Sequence, residues 1–489
     1  MTTFNVEQIK AAGWLKEANY IGGQWVAADD ANVYSVIDPA TEAQIGQIPW
    51  VGAPETRRAI DAAQDAFSAW SMTTAAERAG FLGRMAQIVR DNIDILASML
   101  TLEQGKPLAE ARNEMKLGAD YIQWFAEEAR RINGEIIPSP WKDRQILVTR
   151  EPVGVVGAIS PWNFPFSMLS RKIAPALAAG CTIVIKPSEF TPFSGLLYGV
   201  LAQQAGIPAG VVNVVTGDGA VVGGEFSSNV LVRKITFTGS TRVGKLLYKQ
   251  SADTMKKLSM ELGGNAPTII FDDADMDLAV ENAVAGKFRN SGQTCVCTNR
   301  FYVQDGIYDE FARRLTDRVR QMKVGNGFED GVEQGPLINQ AAVSKVQAHV
   351  QDAQAKGGRV LLGGKRHALG ATFFEPTVIA DATADMLIAH EETFGPVAAL
   401  LRFSTEQEAI DAANASEFGL AAYFYTRDLA RTFRVSRALQ SGMVGINAGV
   451  ITTVEAPFGG VKDSGIGREG SSHGLDEYLN LKYLSLGGL

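Results

Sequence analysis

Apolar positions along the chain change period several times, and each change predicts a different kind of element. Residues 20–48 read as short strands and turns: apolar residues flank Gly22-Gly23 in a hairpin pattern, and the run Val36-Ile37 stops at Pro39. Over 54–131 apolar residues recur every three or four positions with charges between them, which predicts helices at 55–70, 75–104 and 108–132 with a break at Gln104-Gly105-Lys106-Pro107. Such helices form a layer to pack on a sheet, with Trp124 and Phe125 as core positions. Residues 145–151 alternate, which predicts an edge strand or protruding hairpin beside the proline-bearing connection 138–143.

From Val153 near-continuous Val/Ile runs alternate with helical segments. Strands are expected at 153–159, 182–185, 211–215 and 230–237, and helices at 166–179, 191–205 and 243–251. That alternation predicts an α/β architecture with a parallel sheet buried on both faces. Ligands in such sheets bind beyond the C-terminal strand ends, where this chain carries 160–165, 186–189, 216–219 and 238–244. A second unit begins near 260–265, with a strand at 267–271, a helix at 276–288 and further alternation at 300–303, 308–322, 341–355, 408–413, 421–425 and 427–439. The Gly-rich stretch 324–337 is expected to be a surface loop. The tail 475–489 alternates through Tyr478, Leu481, Tyr483 and Leu484, a strand pattern suited to pairing with another subunit, against the strand near 145–150. The chain has no internal repeat or low-complexity region.

At 489 residues two or three domains are expected. A net charge of −8 offers no basic stripe for nucleic acid or acidic lipid. Three cysteines argue against a disulfide framework and for a reducing compartment, the cytosol by default. The first ten residues lack the pattern of a signal peptide, and the longest apolar run, 173–185, carries Pro175 and Gly180 and falls short of the ~20 residues a membrane helix needs. The four histidines are scattered and the cysteines form no CxxC pattern, so no metal site is expected. Chemistry concentrates at Cys295 and Cys297, behind the small polar segment 288–294. Cys295 reads as a nucleophile approached through glycine, although two cysteines alone also suit small buried hydrophobes or half a metal site. Phe237-Thr238-Gly239-Ser240, ending a strand and opening a helix, suits an anion such as a pyrophosphate, whereas Gly217-x-Gly219 alone is a turn fragment.

Seven segments in order, PWNFP (161–165), KPSE (186–189), FTGSTRVG (237–244), ELGG (261–264), GQTC (292–295), EETFGP (391–396) and PFGGVKDSGIGREG (457–470), resemble the aldehyde dehydrogenase superfamily over nearly the whole chain. KFRN at 287–290, the Cys-Val-Cys triplet and 444–455 resemble its succinate-semialdehyde dehydrogenase branch. The resemblance implies a Rossmann-type cofactor domain (1–132 and 152–264), an α/β catalytic domain (265–474) and oligomerisation strands (133–151 and 475–489) in a homodimer or homotetramer. It implies Cys295 as nucleophile, Asn163 with the Cys295 N–H as oxyanion donors, and Glu261 as general base. It implies NAD or NADP contacts at Ser160, Pro161, Trp162, Asn163, Lys186, Ser188, Glu189, Gly219, Phe237, Thr238, Gly239, Ser240, Val243, Leu262, Glu392 and Phe394. Glu189 favours NAD, because a carboxylate accepts from ribose hydroxyls and repels a 2′-phosphate. For the substrate, an aldehyde carrying a carboxylate, it implies Arg171, Arg289 and Thr452, where the branch often has Ser in place of Thr452. Cys295 and Cys297 form its redox-switch pair. Glutarate semialdehyde or another ω-oxo acid satisfies the same charge logic. A non-catalytic structural protein or a coenzyme A-acylating enzyme would be marked by loss of Cys295 or Glu261, and both are present.

Overall fold

Strands that are apolar on both faces are stable only between two layers of helix. In the computed structural model, which describes residues 2–489, the Val/Ile runs become β1 (Val155–Ile159), β2 (Thr182–Lys186), β3 (Val212–Val214), β4 (Val232–Thr238) and β5 (Lys257–Glu261), all parallel. Alternate residues sort to opposite faces. Val156, Ala158, Ile183 and Ile185 join the core of the helices spanning 75–205, while Val155, Val184, Ile235 and Phe237 meet Ala59, Ile60, Val222 and Leu247. The order across the sheet is β5-β4-β1-β2-β3, so the chain runs outward from β1 and then returns to the other side of β1 for β4 and β5. That reversal opens a crevice at the C-terminal ends of β1 and β4. The hairpin Asn19–Ile21 and Gln24–Val26 closes the β3 edge.

The second sheet contains β6 (Ala266–Ile270), β7 (Thr298–Gln304), β8 (Arg359–Leu362), β9 (Thr377–Ala380), β10 (Val397–Phe403), β11 (Ala421–Tyr425) and β12 (Met443–Ile446), in the order β8-β9-β10-β7-β6-β11-β12. Cys295 lies on the connection between the helix Met276–Phe288 and β7, facing the crevice of the first sheet.

Several expectations need correction. The helix expected over 75–104 is two, Ala75–Asp91 and Ile93–Gln104, because the Asn92 amide bonds the Ile88 carbonyl at 2.8 Å and takes the backbone out of the helical region. Residues 219–228, left between a loop and a strand, form a helix capped by Asp218 despite three glycines. Strands β5, β8, β9, β10 and β12 were not anticipated. The strand Arg144–Pro152 is no edge: it is the centre of a three-stranded sheet between Glu135–Ile137 and Leu479–Gly487. The tail therefore pairs within its own chain, Leu479 opposite Pro152 through Gly487 opposite Arg144. The expected surface loop is buried over residues 334–338, which back the nucleophile loop. Finally, Gly465–Ile466 leaves the second unit and pairs with β5 in the first sheet, which brings the 457–470 motif against Glu261.

Candidate active site

The nucleophile loop starts with backbone strain. Asn290, Ser291 and Gly292 have φ of 52°, 56° and 74°, a region that costs a non-glycine residue roughly 1–3 kcal/mol. Hydrogen bonds hold the turn: Asn290 N–H donates to Glu110 Oε2 (2.9 Å), Asn290 Nδ2 to the Asn163 carbonyl (2.9 Å), Ser291 Oγ to the Gly335 carbonyl (2.8 Å), and Ile338 N–H to Gln293 Oε1 (2.9 Å). Gly292 lies against the Gly395 carbonyl, leaving no room for a Cβ. The outcome is a half-buried Cys295 whose side chain borders two cavities, of about 280 Å³ and 70 Å³.

The larger cavity opens at the crevice of the first sheet. Pro161, Trp162 and Asn163 from the β1 end, Thr238, Gly239 and Ser240 from the β4 end, Leu262 beyond β5, and Glu392 and Phe394 line it with Cys295. Met168, Gly263, Ala342, Lys345 and Thr393 also line it and were not anticipated. Ser240 caps the helix Thr241–Ser251, accepting from Val243 N–H at 3.5 Å, so that helix N-terminus opens on the cavity. Apolar walls, glycines at 239 and 263 and this N-terminus fit the nicotinamide and pyrophosphate portions of a dinucleotide. The other residues assigned to cofactor do not line it, and Glu189 borders a separate cavity with Tyr34 and Gln340. Phe237 is buried under Gly239, Val243 packs with Leu262, and Ser160 Oγ is buried without a partner. Lys186 and Glu189 form an ion pair of 3.1 Å at the β2 end beside Gly219, and Ser188 Oγ accepts from Phe190 N–H. Burial pushes the Glu392 carboxyl up to about 7.

The smaller cavity is lined by Tyr121, Phe164, Met168, Arg171, Arg289, Thr294, Cys295, Thr452 and Phe458, among others. The two arginines expected to share one role differ here. Arg171 Nε meets Glu469 Oε2 at 3.2 Å and its guanidinium stacks on Phe458. Arg289 stacks 5.4 Å from the Phe164 ring centroid and has no ion-pair partner within 4.0 Å among the described residues. Arg289 is the cation of this cavity without a salt bridge, with the Glu110 carboxylate near enough to feel its charge.

Asn163 lines the larger cavity with Cys295, whereas Glu261 borders neither cavity. Asn163 Nδ2 donates one hydrogen to the Gln293 carbonyl at 3.0 Å, and its Oδ1 has no partner. Glu261, at the end of β5, is buried with neither carboxylate oxygen hydrogen-bonded, and its pKa is raised well above the usual range by burial and by the charge of Glu469. Lys172 and Glu469, unassigned by the sequence, form a buried ion pair, with Lys172 also donating to Thr238 Oγ1 at 2.7 Å. Gly459 leaves space over Glu261 Oε1, since a Cβ there would come within 2.9 Å of it. Burial, with help from Glu392, pushes the Cys295 thiol up to about 12, so it rests protonated. Cys297 is buried, donates to the Gly292 carbonyl at 3.3 Å, lies 3.6 Å from Lys287 Nζ, and borders neither cavity. Among the described residues, no three His, Cys, Asp or Glu are grouped to hold a metal, and no helix is long and apolar enough to cross a membrane.

Comparison with known proteins adds three kinds of relative. A profile of the Aldehyde dehydrogenase family matches residues 25–484. The chain is 55% identical to 3-sulfolactaldehyde dehydrogenase of Pseudomonas putida (99% of each chain) and 54% identical to glutarate-semialdehyde dehydrogenase of Pseudomonas aeruginosa (99% and 100%). Among solved structures it is similar to succinate-semialdehyde dehydrogenase of Burkholderia pseudomallei, with TM-score 0.96, 56% identity, and 97% and 98% of the two chains covered.

Proposed function

The chain belongs to the aldehyde dehydrogenase family, and from that premise we propose that it oxidises succinate semialdehyde to succinate with NAD(P), through a thioester on Cys295. The observation that carries the substrate is the Arg289 guanidinium, without a salt bridge, lining with Thr452 the cavity at Cys295. A planar fork of donors in a desolvated pocket suits a carboxylate bidentately. The three relatives act by name on aldehydes that carry a carboxylate or sulfonate, which fits the same requirement.

In this reading the Cys295 thiol first gives its proton to solvent, Sγ attacks the aldehyde carbon, and the oxygen that becomes negative is met by the second Asn163 Nδ2 hydrogen and the Cys295 N–H. Bound NAD(P) supplies the hydride acceptor and a cationic ring that favours the thiolate. Glu261 takes a proton from the water that then cleaves the thioester, returning the thiol and releasing the acid. Redox control through Cys297 belongs to the same reading, supported by its position two residues from the nucleophile. So does assembly into a homodimer or homotetramer, supported by the exposed Leu481, Tyr483 and Leu484 on the outer strand of the small sheet.

Turnover of C3 to C6 ω-oxo acids and uncharged aldehydes with both cofactors tests the proposal, with succinate semialdehyde expected to give the highest kcat/KM. Glutarate semialdehyde in first place would lengthen the substrate and keep the site. In Arg289→Gln the KM for succinate semialdehyde is expected to rise about 10- to 100-fold, the loss of a charge-assisted hydrogen bond, while an uncharged aldehyde is turned over as before. An equal loss on both would remove Arg289 from substrate recognition.

NAD is the favoured cofactor in this proposal, supported by Glu189. In Glu189→Ser the 2′-phosphate no longer meets a carboxylate and the Lys186 ammonium, now unpaired, is free to meet it. The NADP-to-NAD ratio of kcat/KM is expected to rise about tenfold or more, the size of one relieved like-charge contact. An unchanged ratio would assign cofactor choice elsewhere.

A further inference from the structure

The helix break at 104–107 does more than separate two helices. Lys106 at the break, with Glu110 and Glu114 one turn apart on the helix Leu108–Glu128, reaches under both active-site loops. Lys106 Nζ meets Glu114 Oε2 at 2.6 Å, with side chains 0% and 1% exposed. The same ammonium donates to the Asn163 carbonyl at 2.7 Å and sits 4.0 Å from the Phe164 ring centroid. Glu114 Oε1 accepts from Phe166 and Ser167 N–H at 3.0 and 3.2 Å, fixing the start of the helix that follows Asn163. Glu110 Oε2 accepts from Asn290 N–H, and Asn290 returns to the Asn163 carbonyl through Nδ2, each at 2.9 Å. The Asn163 loop and the strained turn before Cys295 thus hang from two turns of one helix. None of the three charged side chains borders either cavity.

Stability alone is a weak reason for this arrangement, since a buried ion pair is commonly no more stable than apolar residues of the same volume. Direction is what an ammonium adds: one group holds Glu114, a backbone carbonyl and a ring face at once. The Asn163 side chain needs such support. Its Oδ1 has no partner, so the aim of its free Nδ2 hydrogen is set by the Gln293 carbonyl and by its own clamped main chain.

We propose that Lys106, with Glu110 and Glu114, is a positioning cluster that sets the gap between the Asn163 amide and Cys295. The proposal rests on the reading of Asn163 as an oxyanion donor. Misplacement by about 1 Å in such a site costs up to about 10²-fold in rate. Lys106→Met strands the Glu114 charge and is expected to lower both the melting temperature and kcat. Lys106→Met with Glu114→Gln removes both members of the ion pair, keeps the oxygen that accepts from Phe166 and Ser167, and leaves Glu110 with Arg289 as its neighbouring cation, so its melting temperature is expected to recover most of the loss. Its kcat per titrated thiol is expected to stay about 10- to 100-fold low, with aldehyde KM and cofactor Kd within about threefold of the parent. In an Asn163→Ala background the same pair of changes should cost less than about threefold, because the amide they aim is gone. A double variant with kcat within about twofold of the parent, or equal losses in both backgrounds, overturns the proposal. Full turnover by Asn163→Ala alone instead overturns the oxyanion reading beneath it.

Discussion

Cys295→Ala is expected to abolish formation of reduced cofactor from succinate semialdehyde, a fall on the order of 10⁶-fold in kcat, the scale seen when a nucleophile is deleted. No other residue can take its place. Cys295 is the cysteine that borders both cavities, and Cys297 borders neither. The larger cavity is otherwise walled by Trp162, Phe394, Leu262 and the glycine turns, none of which the substitution alters. Cofactor affinity should therefore stay within about twofold, since an alanine removes one sulfur from a wall and no charge from the resting site. Initial rates and a cofactor titration on the same protein give both numbers. Residual turnover within 100-fold of the parent would mean that another group attacks the aldehyde.

Glu261→Gln is expected to separate the two halves of the reaction. The first half needs no base for water, so one equivalent of reduced cofactor per chain should appear rapidly. Steady-state turnover should then fall about 10²- to 10⁴-fold, the usual contribution of a general base. The pH dependence follows from the environment of the carboxyl. Burial and Glu469 raise its pKa well above the ordinary carboxylate value, against the smaller opposing effects of Arg171, Lys172 and Arg468. A base works ionised, so the parent loses kcat as pH falls through that raised pKa, and the glutamine variant loses this limb. A variant with no burst, or with the limb intact, would move the base to another residue.

The parallel strands around the crevice were legible because burial on both faces leaves only Val, Ile and their like, as in Thr182–Lys186. β8 to β10 were missed in a segment where polar loops and short apolar runs alternate without a helical period. At the site, Cys295, Glu261 and Asn163 stand in contiguous motifs and could be read from spacing and resemblance. Lys106 and the Lys172–Glu469 pair could not. Their partners lie 57 and 297 positions away, and a buried lysine after Gly105 or Arg171 looks the same in sequence as an exposed one. The difference between Arg171 and Arg289 is of the same kind, because only Arg171 meets a carboxylate, Glu469, which it shares with Lys172.

The small sheet has a consequence for synthesis. Arg150 and Asp476, which form an ion pair at its base, lie 326 positions apart. At about 5–20 residues per second on the ribosome, Arg144–Pro152 waits roughly 15–60 s before Leu479–Gly487 emerges to cover its flank. During that wait the strand shows a row of unpaired backbone groups to every neighbouring nascent chain. Polysomes translating this message thus hold many copies of the same open edge close together, and a chain released short of residue 479 keeps its edge open for good.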